Sequence, residues 1–255
     1  ANESRIFSII KDEQLELLDK FGDKRRTEIG APVGSMNIED LIPNKRVAIL
    51  LSQKGFAKRM QIDAFRSQLR GGRGVNSMTT RDEDYIEHLF LTFTHNYVLF
   101  FTSTGRVFKI KAHQIPEASR QGKGISIAHF LQLEEGETVT TMIPIKDFNS
   151  DEYLFMTTEK GVIKKTHVSA FVHFKNRPII SINLDSGDKL KWVKKTDGNR
   201  DILLVTSAGM VIRFDEKQAR PLGRASRGVK GIKIKPEDRL IGMGILDPEE
   251  EKSCL

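Results

Sequence analysis

The sequence is poor in cysteine and has no long apolar run. Cys254 is the one cysteine among 255 residues, so an internal disulfide cannot form, which suits a reducing compartment. No stretch approaches the roughly 20 consecutive apolar residues of a transmembrane helix. The first residues lack the basic start and the small-residue cleavage site of a signal peptide. We therefore expect a cytoplasmic protein without a membrane segment.

Motifs of common enzyme sites are also absent. The stretch GGRGVNS does not have the spacing of a P-loop, and neither GxSxG nor HExxH occurs. The six histidines are scattered without the spacing of a zinc site. The acidic residues Asp82, Glu83 and Asp84 fall in a loop, where we expect simple solvation. We predict no catalytic residue, no metal site and no cofactor in this chain.

Positive charge is present in excess and is unevenly distributed. The formal net charge is +7, and 38% of the residues are hydrophobic, enough to bury a core. From Lys45 to Lys123 there are 14 lysines and arginines against 6 acidic residues, a local excess of +8. This pattern favours a polyanionic partner that binds mainly to the first half of the fold.

Four internal repeats organise the chain. Each has an apolar run, a polar turn that ends in glycine, and a second alternating run, which is typical of a β-hairpin. The turn glycines are Gly55, Gly105, Gly161 and Gly209, spaced by 50, 56 and 48 residues. This period predicts an all-β fold of propeller-like blades with four antiparallel strands each. We place the blades at about residues 41–90, 91–146, 147–194 and 195–246.

The repeats continue beyond the hairpins. Gly74, Gly124 and Gly228 each lie nineteen residues after a turn glycine, in a basic setting, whereas the third repeat departs from this pattern and has Pro178. Acidic loops such as LEEGET then lead into a further apolar strand. A single unit of this kind cannot bury both faces of its sheet, so we expect neighbouring blades to stack around an axis.

The N-terminal residues have a different character. KDEQLELLDKFGDKRRTEI predicts a charged helix with Leu15, Leu18 and Phe21 along one stripe and Gly22 at its C-terminal end. GAPVGSMNIED then has the composition of a linker. We assign residues 1–36 to the helical tail of an upstream domain and its linker, and residues 37–255 to the repeat domain.

These segments together resemble the C-terminal region of bacterial DNA gyrase A. KFGDKRRTEI resembles the end of its helical breakage-reunion domain, and QLRGGRG resembles the gyrase A box, usually written QRRGGKG. THNYVLFFTSTGRVFKIKAHQIPEASRQGKGI resembles its second blade, and the likeness runs along essentially the whole chain. The motifs are specific in combination, whereas a single RGG would be weak evidence.

The resemblance implies a β-pinwheel, in which blades exchange strands and the outer perimeter wraps duplex DNA. In that family the wrap lets gyrase introduce negative supercoils. The cleaving tyrosine lies in the upstream domain, and ATP and Mg²⁺ are used elsewhere in the holoenzyme, so we expect this chain to be non-catalytic. The expected assembly is a heterotetramer with gyrase B, associated with the nucleoid. Because the family's ring commonly has six blades, we expect either that further blades follow in a longer protein or that the ring here is shorter and open.

The proposed DNA-binding residues form two groups. Glycines in the box allow close approach of a phosphate backbone, and its arginines offer forked donors, while Leu69 stands where the family has a basic residue. The box comprises Gln68, Leu69, Arg70, Gly71, Gly72, Arg73 and Gly74. Further rim contacts are expected at Lys54, Lys58, Arg59, Arg66, Arg106, Lys109, Arg120, Lys123, Lys160, Lys164, Lys165, Arg213, Arg224 and Arg227.

Two alternative functions remain open from the sequence. The chain could be the equivalent region of topoisomerase IV, which selects DNA segments without wrapping them, and Leu69 is the residue that supports this alternative. It could also be an interaction propeller whose basic rim binds an acidic protein or RNA. RNA-binding RGG tracts are usually repeated and disordered, whereas this one is single and embedded between strands.

Overall fold

The computed structural model of the chain describes residues 3–24, 26–27, 38–62, 84–119, 121–174 and 177–249. The chain divides into two units, Ala1–Leu41 and Ile42–Leu255. The boundary predicted between residues 36 and 37 lies outside the described residues.

The first unit contains the helix α1, Glu3–Phe21, which begins earlier than the sequence pattern indicates. The amide of Gly22 donates a hydrogen bond to Leu18 O at 2.8 Å, so the helix ends at the predicted glycine. Leu15, Leu18 and Phe21 are exposed, and none of the 19 residues of this helix is buried within the described part of the chain. A short 3₁₀ helix, Ile38–Leu41, follows.

The second unit is built from short antiparallel strands. Within the described residues these are β1 (Arg46–Ser52), β2 (Phe56–Gln61), β3 (Ile86–Phe93), β4 (Tyr97–Thr102), β5 (Arg106–Lys111), β6 (Ile125–Ser126), β7 (Val139–Ile145), β8 (Tyr153–Thr158), β9 (Val162–His167), β10 (Ile179–Ile180), β11 (Leu190–Thr196), β12 (Asp201–Thr206), β13 (Val211–Asp215), β14 (Val229–Lys230) and β15 (Leu240–Leu246).

These strands form four sheets, here called blades 1 to 4. Their strand orders are β3-β1-β2-β6, β10-β5-β4-β7, β11-β8-β9-β14 and, with three strands among the described residues, β13-β12-β15. The four-stranded antiparallel blades and the N-terminal helix confirm the predicted all-β pinwheel class. The repeats and the blades do not coincide, however, because the second, third and fourth repeats each give one strand to the blade before them.

The exchanged strands are the two-residue strands β6, β10 and β14. Ile125 and Ser126 of the second repeat pair with Ala57 and Phe56 of the first. Likewise, β10 pairs with β5, and β14 pairs with β9. Each exchanged strand therefore completes the outer edge of a sheet whose other strands come from the preceding repeat.

The strands at the opposite edge of each sheet line the axis of the arrangement. β7 contacts both β3 and β11, and β11 also contacts β15, so these four strands meet one another across neighbouring blades. The hairpin strands β2, β5, β9 and β13 lie away from this axis. The outer hairpin strands and the exchanged strands consequently form the outer edges of the blades, here called the rim.

The core lies between successive blades. Phe101 and Met156 belong to the cluster between blades 2 and 3, whereas Phe100, the neighbour of Phe101 on β4, belongs to the cluster between blades 1 and 2. Central strands buried on both faces account for the continuous apolar runs in the sequence. In β12, by contrast, Ile202 and Leu204 are buried while Leu203 between them is half-buried.

Acidic side chains hold the hairpin turns. Asp84 Oδ1 accepts a hydrogen bond from the amide of Lys54 at 3.1 Å, and Asp188 Oδ1 accepts one from the amide of Lys160 at 3.0 Å. The sequence-based expectation that Asp84 is simply solvated is wrong, because this side chain is buried against the turn. In these two blades an acidic side chain thus stabilises the hairpin turn that contains a nominated lysine, Lys54 or Lys160.

Candidate nucleic-acid interface

Twelve of the nominated rim cations lie among the described residues. They occupy the hairpin turns, the outer hairpin strands and the loops that precede the exchanged strands. The box, Gln68 to Gly74, lies outside the described residues, and so do Arg66 and Arg120. The side chains of the twelve described cations have three different environments.

The fourth residue after the turn glycine is basic in every repeat, and in three repeats it joins two blades. The side chain donates a hydrogen bond to a backbone carbonyl of the next repeat, just after that repeat's hairpin. The bonds are Arg59 Nε to Ile115 O at 3.2 Å, Lys109 Nζ to Val172 O at 2.6 Å and Lys165 Nζ to Glu216 O at 2.8 Å. These cations consequently stabilise the contact between blades.

Lys109 illustrates how such a cation is accommodated. Its Nζ lies 4.8 Å from the ring centroid of Phe174 and 5.1 Å from that of Tyr97, at cation–π distance. Burial, together with the nearby charge of Lys111, lowers the pKa of Lys109 below its usual value. The ammonium group is thus held by aromatic faces and one carbonyl.

Lys165 and Arg213 occupy the same position in the hairpin but differ in exposure. Lys165 is only 4% exposed, and its Nζ lies 3.9 Å from Glu216 Oε2. Burial lowers the pKa of Lys165, against the opposing effect of Glu216. Arg213 is exposed and donates from Nε to Asp201 Oδ2 at 2.7 Å. Of these two, Arg213 is the one that a phosphate could reach.

Two further nominated lysines are fully buried. Lys58 Nζ donates to Ser119 O at 3.1 Å and to Gly122 O at 2.8 Å. Lys164 Nζ donates to Ser181 O at 2.6 Å and also to Arg224 O. Burial, with a smaller effect of the Arg224 charge, lowers the pKa of Lys164 to about 8. We expected Lys58, Lys164 and Lys165 among the DNA contacts; their burial corrects that expectation, because a phosphate cannot touch them directly.

The loops that precede the exchanged strands carry cations nearer to solvent. Residues 118–124 are here called the second rim loop, and residues 222–228 the fourth rim loop. Lys123 Nζ lies 3.6 Å from the ring centroid of Phe56 and is half-buried. Arg227 is exposed and pairs with Asp185 Oδ2 at 2.5 Å, while the half-buried Arg224 donates to Ile180 O at 2.8 Å.

The hairpin turns carry further exposed cations. Lys54 and Lys160 are exposed, and Lys160 Nζ donates to Ser186 O at 2.8 Å. Arg106 instead pairs with Glu134, and its Nε lies 3.3 Å from Glu137 Oε1. Because two carboxylates already compensate Arg106, it is a weaker candidate for phosphate binding than the two turn lysines.

The sequence reasoning missed a basic run just beyond the fourth rim loop. Lys230 lies on the exchanged strand β14, and Lys233 and Lys235 follow it; all three side chains are exposed. The signal was available, since these lysines follow the second glycine of the repeat, Gly228, in the stretch VKGIKIK. Their exposure makes these three lysines additional candidates for phosphate contact.

The described residues also bear on membrane segments and metal sites. Within those residues, no helix is long and apolar enough to span a membrane. No group of three or more His, Cys, Asp or Glu side chains among the same residues is arranged to hold a metal ion.

The matches between this chain and a known protein family follow the four repeats. Residues 48–92, 96–146, 152–197 and 200–247 match the family described as DNA gyrase C-terminal domain, beta-propeller. A DNA gyrase A protein from Clostridium acetobutylicum is 46% identical over 231 residues, which are 91% of this chain and 28% of that protein. The chain thus spans less than a third of that relative's length.

Solved structures show the same fold. The C-terminal domain of DNA topoisomerase IV superposes with a TM-score of 0.71 at 25% identity, covering 82% of this chain and 63% of the other. A DNA gyrase A C-terminal domain superposes with a TM-score of 0.62 at 24% identity, covering 79% of this chain and 65% of the other. With its four repeats matched one after another, the chain belongs to the family of DNA gyrase C-terminal domains with the beta-propeller fold.

Proposed function

We propose that this chain binds duplex DNA without sequence specificity and wraps it around the outer rim of the blades, so that a gyrase can introduce negative supercoils. The observation that carries the proposal is the repetition of exposed or half-buried cations in the turns, the outer hairpin strands and the rim loops of successive blades. Regularly spaced cations neutralise a phosphate backbone and carry no base information.

DNA wrapping requires many phosphate contacts, and the distribution of cations over successive blades meets this requirement. Bending a few tens of base pairs costs several kcal/mol in elastic estimates, so many moderate contacts must share the cost. Lys54, Lys160, Arg213 and Arg227 offer such contacts along the rim, and Lys230 extends the path. The box, with Arg70 and Arg73, would add the densest cluster of donors.

The wider role follows from the family. We propose that the chain is a non-catalytic part of a gyrase A protein that assembles with gyrase B in the cytoplasm, near the nucleoid. DNA cleavage and ATP hydrolysis with Mg²⁺ would then occur elsewhere in the holoenzyme. The name of the Clostridium acetobutylicum relative supports this assignment.

The test is a ligation assay. The chain is bound to nicked circular DNA, the nick is sealed, and the linking number is read on gels. We expect a shift of one hand that disappears when residues 68–74 are replaced by alanine. Lys146→Ala is the matched control, because Lys146 is exposed directly after the axis-lining strand β7 and should leave the shift unchanged.

A second function is supported by the structural comparison with topoisomerase IV. If the chain binds DNA but produces no linking-number shift, it would select DNA segments without wrapping them. If it does not bind duplex DNA, the proposed function is wrong.

A further inference from the structure

The two rim loops share a spacing of residues with the box. Arg120, Lys123 and Gly124 in the second rim loop, and Arg224, Arg227 and Gly228 in the fourth, repeat the spacing of Arg70, Arg73 and Gly74. Three repeats therefore carry an arginine, a second cation three residues later and then a glycine. The third repeat has KNRPII at this place and lacks the pattern.

A lysine in the preceding blade accompanies this pattern. The third residue after the turn glycine is Lys58 in blade 1 and Lys164 in blade 3, and each of these blades receives a rim loop of the pattern. In blade 2 the same position is Phe108, which is buried, and the repeat that follows it lacks the pattern. The lysine and the patterned loop thus occur together.

The contacts explain the association. Lys58 Nζ donates to Ser119 O and Gly122 O, the residues on either side of Arg120 and Gln121 in the second rim loop. Lys164 Nζ donates to Arg224 O in the fourth rim loop. Each buried ammonium therefore draws loop carbonyl oxygens toward the interior, where these oxygens cannot repel a phosphate.

The fourth rim loop is anchored on two sides. On one side Lys164 donates to Arg224 O of the loop, and it also donates to Ser181 O of its own third repeat. Asn183 Nδ2 donates to Ala225 O at 2.5 Å, and the amide of Asn183 donates to Ser226 O at 3.1 Å. These bonds join the rim loop to the segment that follows the exchanged strand β10, so the loop has one defined course along the rim.

We propose that Lys58 and Lys164 are positioning residues for DNA binding, which hold the second and fourth rim loops so that the cations of those loops meet the phosphate backbone. The inference rests on the proposed function. Lys58 and Lys164 touch no phosphate themselves; they act through the loop carbonyls that they bind. The lowered pKa of Lys164 agrees with an ammonium that is desolvated behind the DNA-facing surface.

The experiment compares three variants of the whole chain: K58M, K164M and K194M. Methionine has a similar length and leaves an apolar group in a buried space. Lys194 is the matched control because it is half-buried, with a pKa lowered by burial, and lies on the axis-lining strand β11. Amide hydrogen exchange of each rim loop is measured without DNA, and binding to a duplex of about 40 base pairs is measured over a range of KCl concentrations.

We expect K164M to raise exchange in residues 222–228 and K58M to raise it in residues 118–124. Duplex affinity should fall in both variants, about tenfold in K164M, where the slope of log K against log salt should fall by about two contacts because Arg224 and Arg227 are both misplaced. K194M should change neither measurement. Thermal unfolding of all three variants identifies any general loss of structure, and the two lysines test the inference on separate loops.

A double-mutant cycle tests whether Lys164 acts through the arginines of the fourth rim loop. In a chain that already carries R224A and R227A, K164M should cause no further loss of affinity. An additive loss would overturn the positioning role, as would unchanged affinity in K164M or an equal effect of K194M. If the wild-type chain does not bind duplex DNA, the proposed function fails instead, and the role of these lysines in DNA binding fails with it.

Discussion

Gly124 lies against the backbone carbonyl of Ala57, so closely that a Cβ atom at Gly124 would come within 2.6 Å of Ala57 O. Gly124 also has φ +85°, a conformation that residues with a side chain rarely adopt. Gly228 has the same relationship with Ile163 O, at 2.5 Å. The second glycine of the repeat therefore lets the exchanged strand approach the preceding blade.

Gly124→Ala should destabilise the chain by about 3 kcal/mol, because it combines left-handed backbone strain with a clash against the paired strand. Gly136→Ala is the control: Gly136 has φ +74°, but a Cβ there would meet nothing within 4 Å. It should cost about 1 kcal/mol, from backbone strain alone. Urea unfolding of both variants measures the difference, and equal losses would contradict the role assigned to the contact with Ala57.

Lys164 should make stability depend on pH in the alkaline range. Its pKa is lowered from 10.5 to about 8 by burial and by the charge of Arg224, so between these values the unfolded chain binds more protons than the folded one. Unfolding then takes up a proton, and stability rises with pH by about 3 kcal/mol across the window. This gain in unfolding free energy is complete above pH 10.5 and is lost as the pH falls from 10.5 through about 8.

The measurement is urea unfolding of the wild type and K164M from pH 7 to 10.5. The unfolding free energy of the wild type should rise relative to that of K164M. A constant difference between the two proteins would show that Lys164 does not titrate in this range.

Glu137 should contribute to stability in the acid range. Burial by itself raises the pKa of Glu137, but hydrogen bonds from Thr102 and Thr104 and the charge of Arg106 lower it below its usual value. Its contribution is therefore present above the unfolded pKa and lost as the pH falls through the folded pKa. Glu137→Gln should cost about 2 kcal/mol at pH 7 and much less at an acid pH below the folded pKa, because protonation weakens the charge-assisted bonds.

Unfolding of the Glu137→Gln variant at both pH values checks this prediction. Glu134→Gln is a suitable comparison, since Glu134 also pairs with Arg106 but is largely exposed, and its substitution should cost well under 1 kcal/mol. Equal effects of the two variants would mean that burial does not strengthen the Glu137 bonds.

Lys230, on the exchanged strand β14, should make one phosphate contact. Lys230→Ala should weaken duplex binding on every sequence alike and reduce the slope of log K against log salt by about one. Fluorescence anisotropy with two unrelated duplexes measures both effects. Lys146→Ala, away from the rim, should leave the slope unchanged, and a sequence-dependent loss in Lys230→Ala would indicate base contacts instead.

The hairpins were predictable because each repeat combines an apolar run, a turn glycine and an alternating run. The exchanged strands were expected only from the resemblance, and a two-residue strand such as Ile125–Ser126 is too short to show a pattern. The environment of the strand lysines was harder to predict. Lys58 in FAKRMQ resembles an ordinary exposed strand residue, but carbonyls more than 60 residues away surround its ammonium group. Asp84 was misjudged for the same reason, since its partner is the amide of Lys54.

Strand exchange also constrains the order in which the chain can fold during synthesis. Blade 1 begins at Arg46 and is completed only by Ser126, after the hairpin of the second repeat has been made. A growing chain therefore always carries one incomplete sheet with an open outer strand, and each new repeat closes the edge left by the one before. Because open sheet edges can pair wrongly, a pause in translation within a repeat would prolong the interval in which nascent chains can associate.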